Sequence, residues 1–240
     1  MILSYADIEH IAVAVSEDFY RYTSAAAEGS FCFPIERLAS DYLSLSVAYA
    51  RLSDDGSVLG VTAYKGTKYT VRSCGVTKVI SLKRNQVLLD KSLAVLSDNI
   101  IGTRRRRFTL AHECAHQILF QLEAAEGTAA CRKPYALCMA RHPHLLQTRH
   151  PHLLQTREDW HEWQANALGS ALLMPAGRLE QAIHELHRES LIVFHGRFPT
   201  MRSRLIIEHL CFRFSVSRSA LTMRLRQLGF ITTDSLESYA

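Results

Sequence analysis

The 240-residue sequence has no run of 18 consecutive apolar residues, no CxxC pair, and no lysine or arginine ahead of the apolar positions that open the chain. Lacking the first, no segment reads as a membrane span. Lacking the last, and with Asp7, Glu9, Glu17 and Asp18 close to the start, the N-terminal stretch does not read as a signal peptide. The expected location is cytoplasmic, with no membrane partner. In a reducing compartment, six cysteines at irregular spacings read as free, mostly buried thiols. Cys131 and Cys138 with His142 or His144 come nearest to a structural zinc set, but six residues between the cysteines exceeds the usual two to four. Glycine (11) and proline (6) are too few for a collagen-like chain, and 48% hydrophobic residues are enough for a full core, so neither a disulfide-stapled miniprotein nor a disordered tail is expected. A net charge of +5 gives only a weak field unless it is clustered. What the chain has in excess is histidine: 12 residues, about twice the ordinary share of roughly 2%.

Hydrophobic spacing predicts helices over 5–22 and 34–45, followed by short runs rich in Val, Leu, Tyr and Thr at 45–51, 58–64, 69–72, 78–82 and 86–89. Asp54-Asp55-Gly56, Lys65-Gly66 and Arg84-Asn85 punctuate these runs, which read as an antiparallel meander. Beyond Asp98 the pattern is helical, with helices at about 107–122, 158–173, 175–188, 202–214 and 217–228. The fold class is α+β. Residues 141–148, RHPHLLQT, recur unchanged at 149–156. Eight residues is too short for a solenoid unit, so the copy reads as a duplicated surface loop. A metal-binding strip of His142, His144, His150 and His152 is the sharper alternative.

The chemistry lies in FTLAHECAHQILF, residues 108–120. His112 and His116 are four apart, so on a helix both imidazoles point from one face and can reach a single ion. Glu113 projects beside that face, as a general base for metal-assisted hydrolysis must. Two imidazoles and one carboxylate leave a fourth position open on zinc, which acidifies water toward a pKa of about 7 and polarises a carbonyl. The donor set favours Zn2+, one catalytic ion, over iron or manganese. HELH at residues 184–187 spaces its histidines three apart in a more polar stretch and reads as ordinary surface helix. Leu119 and Leu122 stand where the extended HExxHxxGxxH pattern needs Gly and His, which excludes that class. A third ligand therefore comes from WHEWQANALGSALLMP, residues 160–175, where Glu162 and Asn166 share a face: Glu162 as ligand, Asn166 orienting a ligand histidine. His161 is the nearest rival; Glu158 and Asp159 fall at the exposed helix start. Tyr135, His161 and His187 are the chemically suitable donors to a developing oxyanion.

RRRFTLAHECAHQIL, then DWHEWQANALGSALLMP, then a terminal FSVSRSALTMRLRQLGFI together resemble the ImmA/IrrE family of zinc metallopeptidases, in that family's order and over essentially the whole chain. The resemblance implies a zincin-like catalytic domain, zinc on His112, His116 and Glu162, and Glu113 as base. It also implies the substrate class: a helix-turn-helix repressor or antitoxin encoded nearby, often on a prophage or mobile element, whose cleavage relieves repression. Gln164 departs from the glutamate that many members carry there, and the octad copy lengthens the loop between the zinc elements.

The expected organisation is a metallopeptidase domain over 1–200, with the duplicated octad at 141–156, and a small helical, helix-turn-helix-like domain over 201–235. From Met201 to Arg226 there are six arginines and one acid, Glu208. Arg218, Arg224 and Arg226 on the second helix are candidate contacts to DNA or substrate. The second functional class is thus a DNA-binding regulator whose metal site is structural or inactive. The tetrad Arg104–Arg107, placed just ahead of the catalytic helix, reads as a solvated or ion-paired face.

Overall fold

The computed structural model describes residues 1–23, 30–73, 76–94, 100–127, 133–140, 156–186 and 191–234. The octad repeat up to residue 155 and Cys131, His142, His144, His150, His152 and His187 lie outside them. The architecture is mixed α/β, with three small sheets and seven helices among the described residues.

Helix α1 (Tyr5–Thr23) is followed by a single turn, α2 (Ile35–Arg37), that continues as a π-helical turn, Leu38–Tyr42, and so ends short of the expected helix over 34–45. Strands β1 (Ser46–Ala50), β2 (Val58–Ala63), β3 (Thr67–Ser73), β4 (Val76–Leu82) and β5 (Gln86–Asp90) occupy the five apolar runs. They do not form the expected meander. β5 lies between β1 and β2, parallel to the former and antiparallel to the latter, while β3 and β4 pair only with each other. Burial explains this order. Val87, Leu88 and Leu89 are buried in succession, so both faces of β5 are covered and it belongs inside the sheet. β1 is largely exposed and takes an edge.

The other edge is β6 (Tyr135–Met139), antiparallel to β2, which the helical reading beyond Asp98 did not anticipate. The same reading missed β7 (Ile192–His195), β8 (Phe198–Pro199) and β9 (Ile231–Asp234), which form a separate sheet of order β8-β7-β9. β7 and β9 each contain β-branched residues in a four-residue run, too short for a helix to claim them.

Helix α3 (Ile100–Ala125) starts a full two turns earlier than 107 and includes the arginine tetrad. Arg107 is buried, where it donates to Glu36 Oε2 (3.0 Å) and to the Phe33 carbonyl (2.6 Å), while Arg106 reaches Glu36 Oε1 (3.3 Å). Helix α4 (Arg157–Leu173) begins at a capping box in which Thr156 and Asp159 bond each other's backbone N–H. Helix α5 (Ala176–Leu186) precedes the last sheet, and α6 (Met201–Arg213) and α7 (Arg218–Gln227) are joined by a turn at Ser215, whose φ is 51°. None of the described helices is long and apolar enough to cross a membrane.

Leu210, Phe214, Val216, Leu221 and Leu225 of the last helix pair are buried in the same apolar cluster as α1, α3 and α4. Arg224 is buried there too. Its guanidinium takes both carboxylate oxygens of Glu9, Nη2 at 2.8 Å from Oε2, and Nε donates to the Met174 carbonyl at 3.1 Å. It is therefore a structural tie between α7, α1 and the end of α4, with no donor directed at DNA or substrate. Arg218 and Arg226 remain exposed, Arg226 with its guanidinium 5.5 Å from the Phe194 ring centre.

Breaking a buried ion pair strands a charge and costs about 3 kcal/mol or more, whereas an apolar replacement of both partners does not. Glu9→Ala is accordingly expected to lower unfolding free energy by about 3 kcal/mol in urea titrations. The double variant Glu9→Leu/Arg224→Met is expected to recover most of that loss. A Glu9→Ala change below 1 kcal/mol would show that the pair does not hold the C-terminal helices in place.

Candidate metal centre

Between Thr109 and Leu119 every residue of α3 is buried, and α4 is buried nearly throughout from Trp163 to Leu173. Helices covered on all sides must satisfy their polar side chains internally. Gln117 does so by donating to Thr62 Oγ1 (2.7 Å) and the Ala63 carbonyl (3.1 Å), which pins α3 to β2. Gly169 lets α4 approach: a Cβ there would stand 3.0 Å from Ala111 C and from His112 N. A Cβ there is tighter than ordinary contact and would press the two helices apart by a few tenths of an ångström, so the glycine helps set how far a donor on α4 must reach to meet α3.

At that contact the three predicted donors converge. His116 Nε2 is 3.0 Å from His112 Nε2, Glu162 Oε1 is 3.0 Å from His116 Nε2, and Glu162 Oε2 is 3.3 Å from His112 Nε2. Nitrogen and oxygen ligands about 2.0–2.1 Å from a tetrahedral ion stand roughly 3.3 Å apart, so this spacing fits a metal of zinc's size. His112 Nδ1 meets Asn166 Oδ1 at 3.1 Å, which fixes the ring and leaves Nε2 as the inward atom.

Glu113 is fully buried, and neither of its oxygens has a hydrogen-bond partner among the described residues. Its carboxylate rests on β2, where a Cβ on Gly60 would come within 2.2 Å of Oε1. Burial pushes the Glu113 carboxyl up to about 8, with the Glu162 charge adding to the shift and His112 opposing it. Glu162 goes the other way. Burial opposes its ionisation, but His116 and His112 hold it well below the usual carboxylate range. For His112, burial disfavours the charged ring and is outweighed by Cys138 and Glu162, so its pKa rises well above the ordinary imidazole value. Buried carboxylates facing imidazoles favour positive charge at this point, which a cation held by the same donors would supply in place of ring protons.

The remaining candidates lie elsewhere. His161 Nε2 faces Glu123 Oε1 at 3.4 Å, Glu158 pairs with Lys133 at 3.1 Å, and Asp159 serves the helix cap. Tyr135 packs edge-on to Tyr69, with ring centres 5.8 Å apart. Gln164 is buried and accepts from the Leu3 N–H at 2.9 Å. Glu185 of the HELH stretch pairs with Arg213 at 2.7 Å. The sequence set Cys138 only beside Cys131 and His142 or His144, which lie outside the described residues; its sulfur instead forms a second donor trio with His112 and Glu113. A short apolar strand offers no periodic signal for a ligand; only the pairing of β6 beside β2 brings it in.

Ring-orienting partners of metal-binding histidines typically contribute tenfold to a hundredfold in affinity. Asn166→Ala is expected to weaken metal binding by about that factor in chelator competition. Unchanged affinity would show that Asn166 does not orient a ligand.

No curated protein sequence matches the chain. The model of the IrrE N-terminal-like domain, Peptidase_M78, matches residues 95–226, which takes in α3, β6 and α4 as well as the terminal helix pair. With more than half of its length covered by that match, the chain belongs to this family of metallopeptidases.

Proposed function

We propose that the protein is a zinc-dependent endopeptidase that cuts a helix-turn-helix repressor or antitoxin encoded beside it, in the cytoplasm, and thereby relieves repression. The observation that carries the catalytic part is the convergence of His112, His116 and Glu162 next to a buried carboxylate without a partner. The substrate rests on the likeness of the three sequence segments to the ImmA/IrrE family. The zincin-like character of the catalytic part and the helix-turn-helix-like character of α6 and α7 belong to the same reading.

In this mechanism His112, His116 and Glu162 hold the ion, Asn166 keeps the His112 ring in place, and Gln117 anchors the helix against the sheet. Bound there, zinc polarises the scissile carbonyl and acidifies water. Glu113 accepts a proton from the attacking water and passes it to the leaving amide nitrogen as the C–N bond breaks. Burial suits Glu113 to the first step, since a carboxylate with a raised pKa takes up a proton more strongly than one exposed to solvent, and it then retains that proton until the more basic leaving amine nitrogen takes it. The opening at Gly60 is what admits the carboxylate to its position.

With Arg224 committed to Glu9, a DNA-binding reading retains only Arg218 and Arg226 of its three arginines. That makes regulation through cleavage the better supported of the two.

Incubating the zinc-loaded protein with the helix-turn-helix repressor encoded nearest to it tests substrate and activity together. Glu113→Gln is expected to reduce cleavage by about 10²- to 10⁴-fold while zinc content stays at the wild-type level. Gly60→Ala is expected to act in the same direction by displacing Glu113, again with zinc retained. Cleavage undiminished in Glu113→Gln would contradict the assignment of the base. Intact repressor after prolonged incubation with an active peptidase would contradict the substrate.

A further inference from the structure

The net charge of +5 is not spread evenly over the chain. From Gly56 to Leu89 there are six lysines and arginines and no Asp or Glu, which leaves 22 cations against 23 acids everywhere else. That stretch contains β3 and β4, which among the described residues pair only with each other, Lys68 opposite Ser81 and Thr70 opposite Val79. One face of this ribbon is committed to the interior. Tyr69, Val71 and Leu82 are buried against Val61 and Leu88, and the Tyr69 hydroxyl donates to the Leu52 carbonyl at 2.9 Å. The opposite face, with Lys68, Thr70, Val79 and Ser81, is exposed. Lys78 is exposed farther along the ribbon, and Lys65, Lys83 and Arg84 at its base. None of these five cations has an acid partner among the described residues. Seven residues per strand give an arm roughly 20 Å long.

We propose that the β3–β4 hairpin is a phosphate-binding arm for duplex DNA, which brings the peptidase centre to a repressor seated on its operator; the delivery role rests on the function proposed above. The major groove of a B-form duplex admits a two-stranded ribbon, and lysine, arginine, serine and threonine are side chains that contact phosphate. The exposed side of the hairpin offers those types. Its one aromatic ring, Tyr69, is buried, so it presents none of the aromatic anchors typical of a protein interface or a bilayer surface. The arm is joined firmly to the metal centre: it leaves β2 beyond Ala63, whose carbonyl accepts from Gln117, next in the chain to His116. Lysines that merely shield an exposed strand edge from aggregation are the competing account, and it predicts no affinity for DNA.

Fluorescence anisotropy of a labelled duplex of arbitrary sequence, titrated with the full zinc-loaded chain between about 50 and 200 mM salt, reads these contacts without any cleavage. Wild-type protein is expected to bind with an affinity that falls steeply as salt is added. Lys68→Gln/Lys78→Gln/Lys83→Gln is expected to reduce the slope of log affinity against log salt by about 3, one per lysine, and to weaken binding about a hundredfold near 0.1 M salt. Arg218→Gln/Arg226→Gln on α7 is expected to change neither. No binding by the wild type, an unchanged slope in the triple lysine variant, or the loss appearing in the α7 variant instead overturns the proposal. So does displacement of the duplex by polyglutamate at equal charge concentration, which would assign the arm to an acidic protein, or uptake by phosphatidylserine vesicles without duplex binding, which would assign it to a membrane. All of these outcomes leave the peptidase reading standing, because zinc content and cleavage of free repressor are measured separately. A chain that binds DNA through the arm but leaves free repressor intact overturns the substrate reading, and with it the delivery role alone.

Discussion

Glu162 reaches from one buried helix to two imidazoles on another, and the centre exists only because α3 and α4 touch closely enough for that reach. Gly169 helps set the distance, since a Cβ there would press on the backbone at Ala111 and His112. The same contact orients the ring of His112 through Asn166, one turn beyond Glu162 on α4. A buried carboxylate among imidazoles is unfavourable without compensating charge. The helix pair thus holds its donors in an arrangement that a divalent cation stabilises, and the sheet beneath contributes Gly60, Glu113's resting place, and Cys138 beside it.

Much of the surrounding structure keeps that contact fixed. Gln117 ties α3 to β2, and Arg107 ties its N-terminal part to the Phe33 carbonyl and Glu36. The C-terminal helices take part through Arg224, which joins α7 to α1 and to the carbonyl that ends α4. A segment whose arginines suggest nucleic acid by composition is bound into the core that supports the metal centre. Arginine on a helix is equally suited to phosphate and to a buried carboxylate, and only burial separates the two uses.

What could be read in the sequence followed from spacing within single helices. His112 and His116 four apart, and Glu162 and Asn166 four apart, share a face because the helix repeat makes them do so. Their meeting across two helices, and the glycine that permits it, depend on tertiary packing that one segment does not encode. The sheet shows the same division. Five apolar runs marked five strands, but their order required knowing which run is covered on both faces, and the burial of Val87, Leu88 and Leu89 decides it. β6 escaped notice because five apolar residues carry no period that separates strand from helix, and with it went the placement of Cys138 beside His112 and Glu113. Arg224 looked like its neighbours Arg218 and Arg226 because its partner, Glu9, lies at the opposite end of the chain.

The central claim is that His112, His116 and Glu162 bind one metal ion. Anomalous diffraction from crystals of the zinc-loaded protein, recorded on both sides of the zinc edge, tests it most directly. The account predicts a single strong anomalous peak in contact with Nε2 of both histidines and the Glu162 carboxylate. A peak located on other residues, or none at this centre in protein shown to carry zinc, would contradict it.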